Sequence, residues 1–237
     1  MLGRFLEVSV HAADPLESLA FYESLGFTQA AVGDTWSHPY AVVTDGRVFV
    51  GLHAYEFPSP SLTFVQPDLQ ANLERLEALG IELAFRRVGA DVFNEAGFTD
   101  PDGQMITLLE ARTFSPTERQ SHETSRLGWF EEFALPARDL QASARWWEQL
   151  GFVAAEVTET PWPHVGLTSD SLDVGLLTRG GLRGPALVFK EPDMAERIRA
   201  LADAGVAFAR DLPRALDPRE NALLVAPEGT LLLLTTG

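Results

Sequence analysis

One segment pattern occurs four times in this chain and restricts what the chain can fold into. Each copy begins with an aspartate and ends with a glycine, and the four copies have equal length: 14–26, 68–80, 139–151 and 193–205. Aspartate accepts hydrogen bonds from the free N–H groups that open a helix, and glycine adopts the left-handed conformation that closes one. The pattern therefore predicts four short helices, one in each copy of a repeated unit. In the first, Leu16, Leu19 and Leu25 form the predicted apolar face.

The spacing of the copies indicates that the units are paired and that the pair is duplicated. The first and second copies are as far apart as the third and fourth. The same offset relates other residues of the two halves: Glu7 to Glu132, Leu25-Gly26-Phe27 to Leu150-Gly151-Phe152, and, with a slip of one residue, Trp36 to Trp162 and His38 to His164. The sequence predicts two similar domains, 1–111 and 127–237, joined by a polar linker at 112–126.

Strand patterns surround each predicted helix. Residues 5–11 alternate between an aliphatic side and a polar side that carries Glu7, Ser9 and His11, as in a half-buried strand. Asp45-Gly46 lies between two apolar runs and predicts a hairpin. Asp100-Pro101-Asp102-Gly103 predicts a tight turn before a last strand. Each unit thus reads βαβββ, and the predicted fold class is α+β.

Composition excludes several kinds of partner. The net charge of −16 argues against nucleic acid and against an anionic membrane surface. No apolar run approaches the ~20 residues of a membrane span, and the N-terminal residues lack a signal-peptide pattern, so a cytoplasmic monomer or homodimer is expected. The absence of cysteine excludes disulfides and thiolate metal ligands. Phosphate-loop and nucleophile-elbow motifs are absent as well.

The βαβββ unit, the helix with Phe21-Tyr22 and Leu25-Gly26-Phe27, and the Asp100-Pro101-Asp102-Gly103 turn together resemble the vicinal oxygen chelate superfamily. That family contains glyoxalases, bleomycin-resistance proteins, fosfomycin-resistance transferases and extradiol dioxygenases. The resemblance implies that units pair into open, U-shaped mixed sheets around a cavity, with helices outside. Four units imply two glyoxalase-like domains and two cavities.

The resemblance also implies where a divalent metal would be bound, by three side chains in each domain. Those positions hold Glu7, Ser61 and Thr107 in the first half, and Glu132, Ala186 and Leu233 in the second. A divalent ion needs several oxygen or nitrogen donors, and neutral hydroxyls are weak ones. We therefore expect neither metal nor other cofactor. A set of Glu7, His38 and His53 is an alternative that the sequence spacing does not support.

Candidate ligand-binding residues lie mainly in the first half. They are Glu7, Ser9, His11, Trp36, His38, His53, Tyr55, Ser61 and Thr107; weaker candidates for the second cavity are Glu132, Trp162, His164 and Lys190. For Glu7 the alternative is a structural ion pair, for the repeated Trp and His a shared turn-packing device, and for Glu132 a pair with Lys190. The second half has apolar residues at matching positions: Ala134, Pro136, Leu177, Ala186 and Leu233.

The leading functional hypothesis is a metal-free, bleomycin-resistance-like protein that binds a small aromatic or amphipathic molecule in the N-terminal cavity. One alternative is a lyase, isomerase or dioxygenase of the same superfamily that uses Glu7 or Glu132 with an unrecognised metal set. Another is a structural remnant whose cavities are filled by side chains. The sequence assigns no catalytic residue and leaves open whether the protein is an enzyme.

Overall fold

The four predicted helices are present in the computed structural model, which describes residues 2–31, 38–111, 125–178 and 181–236. They are α1 Pro15–Ser24, α2 Leu69–Ala78, α3 Leu140–Gln149 and α4 Met194–Asp203. The glycine after each helix has a positive φ: 89° at Gly26, 79° at Gly80, 100° at Gly151 and 84° at Gly205. None of these helices has the length and apolar character that a membrane crossing requires.

Three of the four predicted N-caps form. The carboxylates of Asp14, Asp68 and Asp139 accept hydrogen bonds from backbone N–H groups of the first helical turn. Asp193 does not cap its helix, and its carboxylate accepts a hydrogen bond from Arg197 Nε at 2.9 Å. At the start of α4, a hydrogen bond between the side chains of residues i and i+4 is thus present in place of the cap.

Eight strands of the first half form one mixed sheet. They are β1 Arg4–His11, β2 Thr28–Gln29, β3 Tyr40–Thr44, β4 Phe49–His53, β5 Ser61–Gln66, β6 Phe85–Arg87, β7 Glu95–Thr99 and β8 Met105–Glu110, and they lie in the order β2-β3-β4-β1-β5-β8-β7-β6. The antiparallel pair β1–β5 joins the first unit to the second. The sheet is open at both ends, so its edges do not close into a barrel.

Seven strands of the second half form a second mixed sheet. They are β9 Trp129–Ala137, β10 Val153–Ala154, β11 His164–Thr168, β12 Asp173–Thr178, β13 Ala186–Lys190, β14 Ala222–Val225 and β15 Leu231–Thr235, in the order β10-β11-β12-β9-β13-β15-β14. The fourth unit has one described strand fewer than the predicted βαβββ. A single bond from Ala209 N–H to Leu223 O lies where β6 would begin, and no ladder follows it in the described residues.

Strand register shows which residues of the two halves are equivalent. Both first strands shift register at the same place, beside Glu7 and beside Glu132. His11 pairs with His53 as Pro136 pairs with Leu177, so Leu177 does occupy the place of His53. The correspondence of His38 with His164 is wrong. His164 pairs with Leu177 as Tyr40 pairs with His53, so His164 has the place of Tyr40.

The two halves contact each other through their odd-numbered helices. Ser18 Oγ and Tyr22 OH on α1 donate to the Glu228 carboxylate at 2.7 and 2.9 Å. In the equivalent contact Ser143 Oγ on α3 donates to Asp102 Oδ2 at 2.6 Å. The buried face of α1 therefore carries Ser18, Tyr22 and the cap Leu25, whereas Leu16 of the predicted apolar face is 73% exposed.

The predicted linker lies almost wholly outside the described residues, since its positions 112–124 are not described. The described chain resumes at Ser125, and Arg126 N–H donates to Leu25 O at 2.8 Å. The domain boundaries at 111 and 127 therefore stay predictions.

Candidate functional site

A buried carboxylate lies at the centre of the polar face of the first sheet. Glu7 on β1 is 4% exposed. Its Oε1 accepts a hydrogen bond from Ser9 Oγ at 2.8 Å and one from His53 Nε2 at 2.8 Å. Ser9 Oγ is in turn 2.7 Å from Thr63 Oγ1 on β5. Buried charged groups need such partners, because desolvation without them is costly.

A glycine provides the space for this carboxylate. A Cβ on Gly51, in β4, would lie 2.1 Å from Glu7 Oε1. The second half repeats the device, since a Cβ on Gly175 would lie 1.9 Å from Glu132 Oε1. Both contacts are far shorter than any carbon–oxygen contact, so each glycine is required for its carboxylate to lie flat on the sheet.

Thr63, Ser9 and Glu7 form a series of hydrogen-bonded side chains, which we call the row, and two histidines extend it. His53 Nε2–H donates to Glu7 Oε1, and His53 Nδ1 lies 3.0 Å from His38 Nε2, where either ring nitrogen can be the donor. Burial, together with the nearby His53, lowers the pKa of His38. Tyr40 stacks on His53 with ring centroids 5.8 Å apart, which fixes the plane of that ring.

A cavity of about 220 Å³ opens beside this row. Its lining combines hydroxyls, aromatic rings and charged groups: Ser9, Ser61, Thr63 and Thr107; His53, Tyr55, Phe57 and Phe85; Glu56, Arg87 and Glu95. Tyr55 and Phe57 stack at 5.1 Å. Burial and the neighbouring Glu95 raise the pKa of the Tyr55 phenol, against the opposing charge of Arg87. We call this space the first cavity.

The residues at the family's metal-ligand positions do not fit a divalent ion. Ser61 Oγ and Thr107 Oγ1 are neutral hydroxyls that bond to each other at 2.7 Å. The structure does bring together the alternative set of Glu7, His38 and His53. They form a hydrogen-bonded row, and both ring nitrogens of His53 are used within it. The described ranges contain no group of three or more His, Asp or Glu arranged to hold a metal.

The second half uses its carboxylate differently. Glu132 is contacted by His164 Nε2, at 2.9 and 3.0 Å from its two oxygens. Burial alone would lower the pKa of His164, but the hydrogen bond and charge of Glu132 outweigh burial and raise it. The predicted pair of Glu132 with Lys190 is wrong: Lys190 Nζ lies 3.9 Å from Glu131 on the exposed side of the sheet end.

Apolar side chains occupy the space that corresponds to the first cavity. They form one cluster, against which Trp162 packs: Ala134, Leu177, Leu182, Ala186, Val188, Leu216, Leu223, Leu231 and Leu233. Several of them stand where the first half has Ser9, His53, Ser61 or Thr107. Leu216 comes from the segment before β14 and joins this cluster.

The structure thus brings together seven of the nine first-half candidates in one region, with His38 bonded to His53. Ser9, His53, Tyr55, Ser61 and Thr107 line the first cavity, and Glu7 lies directly behind Ser9 and His53. His11 is not in its lining; its N–H donates to Ser59 Oγ at the end of the sheet. Trp36 lies outside the described residues.

Sequence reasoning missed other residues of this site. Thr63 could have been found, because it lies two positions after Ser61 and strand residues at that spacing share a face. Gly51 also had a signal, since Val-Gly-Leu occurs both at Gly51 and at Gly175. Phe85 and Arg87 lie on the short edge strand β6, whose position over the cavity no local pattern indicates.

Comparison with known proteins gives a likeness of structure only. No family model and no curated protein sequence matches the chain. An extradiol ring-cleaving dioxygenase from B. fuscum has a TM-score of 0.63 at 15% identity, over 100% of this chain and 72% of that one. For a catechol 2,3-dioxygenase the values are 0.60 and 14%, over 100% and 87%.

A Mn(II)-bound glyoxalase from Novosphingobium aromaticivorans has a TM-score of 0.61 at 17% identity, over 98% of this chain and 81% of that one. At these identities the likeness carries the fold and no activity. All three structures match this chain over both sheets. The two open mixed sheets with four outer helices are therefore an α+β, glyoxalase-like fold, as the resemblance of the repeated units implied.

Proposed function

We propose that this chain is a metal-independent binding protein for a small aromatic or amphipathic molecule, which occupies the first cavity. The observation that carries the proposal is the contrast between the two halves. The first half keeps a cavity of about 220 Å³ with hydroxyls on its floor. The second half has the apolar cluster around Leu177, Ala186 and Leu233 in the same place.

The size and lining of the first cavity favour a ligand with one aromatic ring and a short polar substituent. An apolar protein cavity of about 150 Å³ is known to hold benzene, and the first cavity is moderately larger. Tyr55, Phe57 and Phe85 offer ring faces and edges to such a ligand. A few placed polar groups in an apolar wall are what orients a small molecule in its pocket.

The two alternative functions, a superfamily enzyme and a structural remnant, account for fewer features of the site. A superfamily enzyme that uses Glu7 needs a metal set, and no group of His, Asp and Glu in the described residues is arranged to hold a metal. Glu7 Oε1 is also already bonded to Ser9 and His53. A remnant with filled cavities describes the second half and not the first.

The test is a ligand screen by thermal shift on wild type and on matched variants. The double substitution Ser61→Ala with Thr107→Leu gives the first cavity the residues of the second half, and it should abolish the shifts. Glu7→Gln should weaken them, because Ser9 and His53 lose the carboxylate that orients them. Glu132→Gln is the control and should leave them intact. If Glu132→Gln abolishes binding while the first-half variants keep it, the proposed site is wrong.

A further inference from the structure

The hydroxyl on the floor of the first cavity has a fixed hydrogen-bond direction. Ser9 has one hydroxyl hydrogen and donates it to Glu7 Oε1 at 2.8 Å. The contact of 2.7 Å between Ser9 and Thr63 must therefore use the hydrogen of Thr63. Thr63 is 2% exposed and lines the cavity. Toward a ligand, the Thr63 hydroxyl can therefore act only as a hydrogen-bond acceptor, because its hydrogen is already donated to Ser9.

On the other side of Glu7, His53 Nε2–H donates to Oε1 at 2.8 Å, since an ionised carboxylate only accepts. Reversing Thr63 would require Ser9 to give up a hydrogen bond to a buried charge, which is among the stronger hydrogen bonds in proteins. The pair Ser61–Thr107 is adaptable, because either hydroxyl can donate to the other.

The charges around the cavity have one predominant sign. Glu56 and Glu95 line it and Glu7 lies behind its floor, whereas Arg87 is the one Arg or Lys among the described residues that line it. Arg87 already donates to Glu95 at 2.7 Å, and its side chain is 66% exposed. Three carboxylates against one guanidinium leave an excess of negative charge, which opposes an anionic ligand and favours a cationic one. Stacked Tyr55 and Phe57 add aromatic faces, which attract cations.

We propose that the first cavity selects a protonated amine on an aromatic or short aliphatic body, with the ammonium donating to Thr63, and that it discriminates against carboxylates of the same shape. This inference rests on the proposed function and adds the chemical class of the ligand. The aromatic body would lie against Tyr55 and Phe57, and the adaptable Ser61–Thr107 pair would accept a second polar group of either kind.

The test uses ligands that differ only in the polar group: benzylamine, benzyl alcohol and benzoate, with the naphthyl homologue of each. Binding to wild type is measured by NMR titration and calorimetry at neutral pH. Benzylamine should bind at least about tenfold more tightly than benzoate, because one charged hydrogen bond and the sign of the local charge separate the two. Benzyl alcohol, which donates without charge, should lie between them.

Two variants locate the effect at Thr63. Thr63→Val removes the acceptor and copies Val188 of the second half; it should reduce the preference for amine over benzoate several-fold. Thr63→Ser should keep the preference. Thr168→Val, the same change at an exposed strand position of the second half, is the control and should alter nothing. Should Thr63→Val fail to fold, the ranking on wild type and on Thr63→Ser still decides.

The failures of the two proposals differ. If benzoate binds to the first cavity as tightly as benzylamine, the inference about the ligand class is overturned and the proposed function stands. If neither these six compounds nor any compound of the broader screen binds in the first half, the proposed function is overturned and the inference with it.

Discussion

The space above Gly51 gives the sharpest test of the site. Gly51→Ala places a Cβ 2.1 Å from Glu7 Oε1. Gly51 does not have a positive φ, so alanine fits its backbone. The Glu7 carboxylate is the mobile end of a long side chain, and it would move away from the new methyl group. In moving it would leave Ser9 and His53, and the free energy of unfolding would fall by what those two hydrogen bonds contribute.

The expected loss follows from the two bonds. A hydrogen bond to a charged group contributes about 1.5–3 kcal/mol, and the displaced carboxylate recovers part of this through other partners. Alanine in a strand is favoured over glycine by about 0.5–1 kcal/mol. We expect Gly51→Ala to destabilise the protein by about 2–3 kcal/mol. Gly175→Ala should cost less, because Glu132 has His164 alone as its described hydrogen-bond partner.

A double-mutant cycle in urea, followed by circular dichroism, measures this coupling. In a Glu7→Ala background there is no carboxylate to displace, so Gly51→Ala should become neutral or stabilising by about 0.5 kcal/mol. The coupling energy between Gly51 and Glu7 should therefore be about 2–3.5 kcal/mol. If Gly51→Ala costs the same in both backgrounds, the glycine does not act through the carboxylate, and the account of the buried row is wrong.

Three further predictions concern the rest of the chain. Limited proteolysis should cut first within 112–126, because exposed polar linkers are the most accessible sites; early cleavage inside either half would count against this boundary. EDTA should leave the melting temperature unchanged, since no metal-binding energy is expected, and a stoichiometric divalent ion by elemental analysis would refute that. Because the pKa of His164 is raised in the folded state, the pair of His164 with Glu132 stabilises the protein fully at pH values below 6.5. This stability is lost as the pH rises through the pKa of the folded state. Glu132→Gln should therefore cost more stability at acidic than at alkaline pH, and an equal cost at both would contradict the pair.

Some structural features are encoded within a few residues of each other, and these could be predicted. An Asp cap and a Gly end define a helix locally, because they satisfy its end groups whatever lies around it. Three caps and all four glycine ends formed as expected. Asp193 is the exception, because its carboxylate accepts a hydrogen bond from Arg197 and none from the backbone. Both are local bonds, and they compete for the same carboxylate.

Equivalent residues of the two halves could be predicted only where the number of residues that separates them stays constant along the strands. Along β1 and β5 the offset is constant, so Ala134 and Ala186 were correctly matched to Ser9 and Ser61. Across the loop before β3 the offset changes, and His164 was matched to His38 although it has the place of Tyr40. The loops before β3 and β11 differ in length, and no short residue pattern marks the difference, so the sequence alone did not show the change of offset.

The sequence by itself determined the four helix-centred units, the polar face of β1, and the absence of strong metal-ligating side chains at Ser61, Thr107, Ala186 and Leu233. Only the tertiary structure decided what Glu7 contacts and which cavity stays open. Glu7 reaches His53 across Gly51, which the parallel pairing of β1 and β4 places beside Ser9, and in the second half an apolar cluster that includes Leu216 from a distant segment takes the place of the first cavity. Such contacts join residues far apart in sequence, and they depend on register and packing, which no short pattern of residues contains.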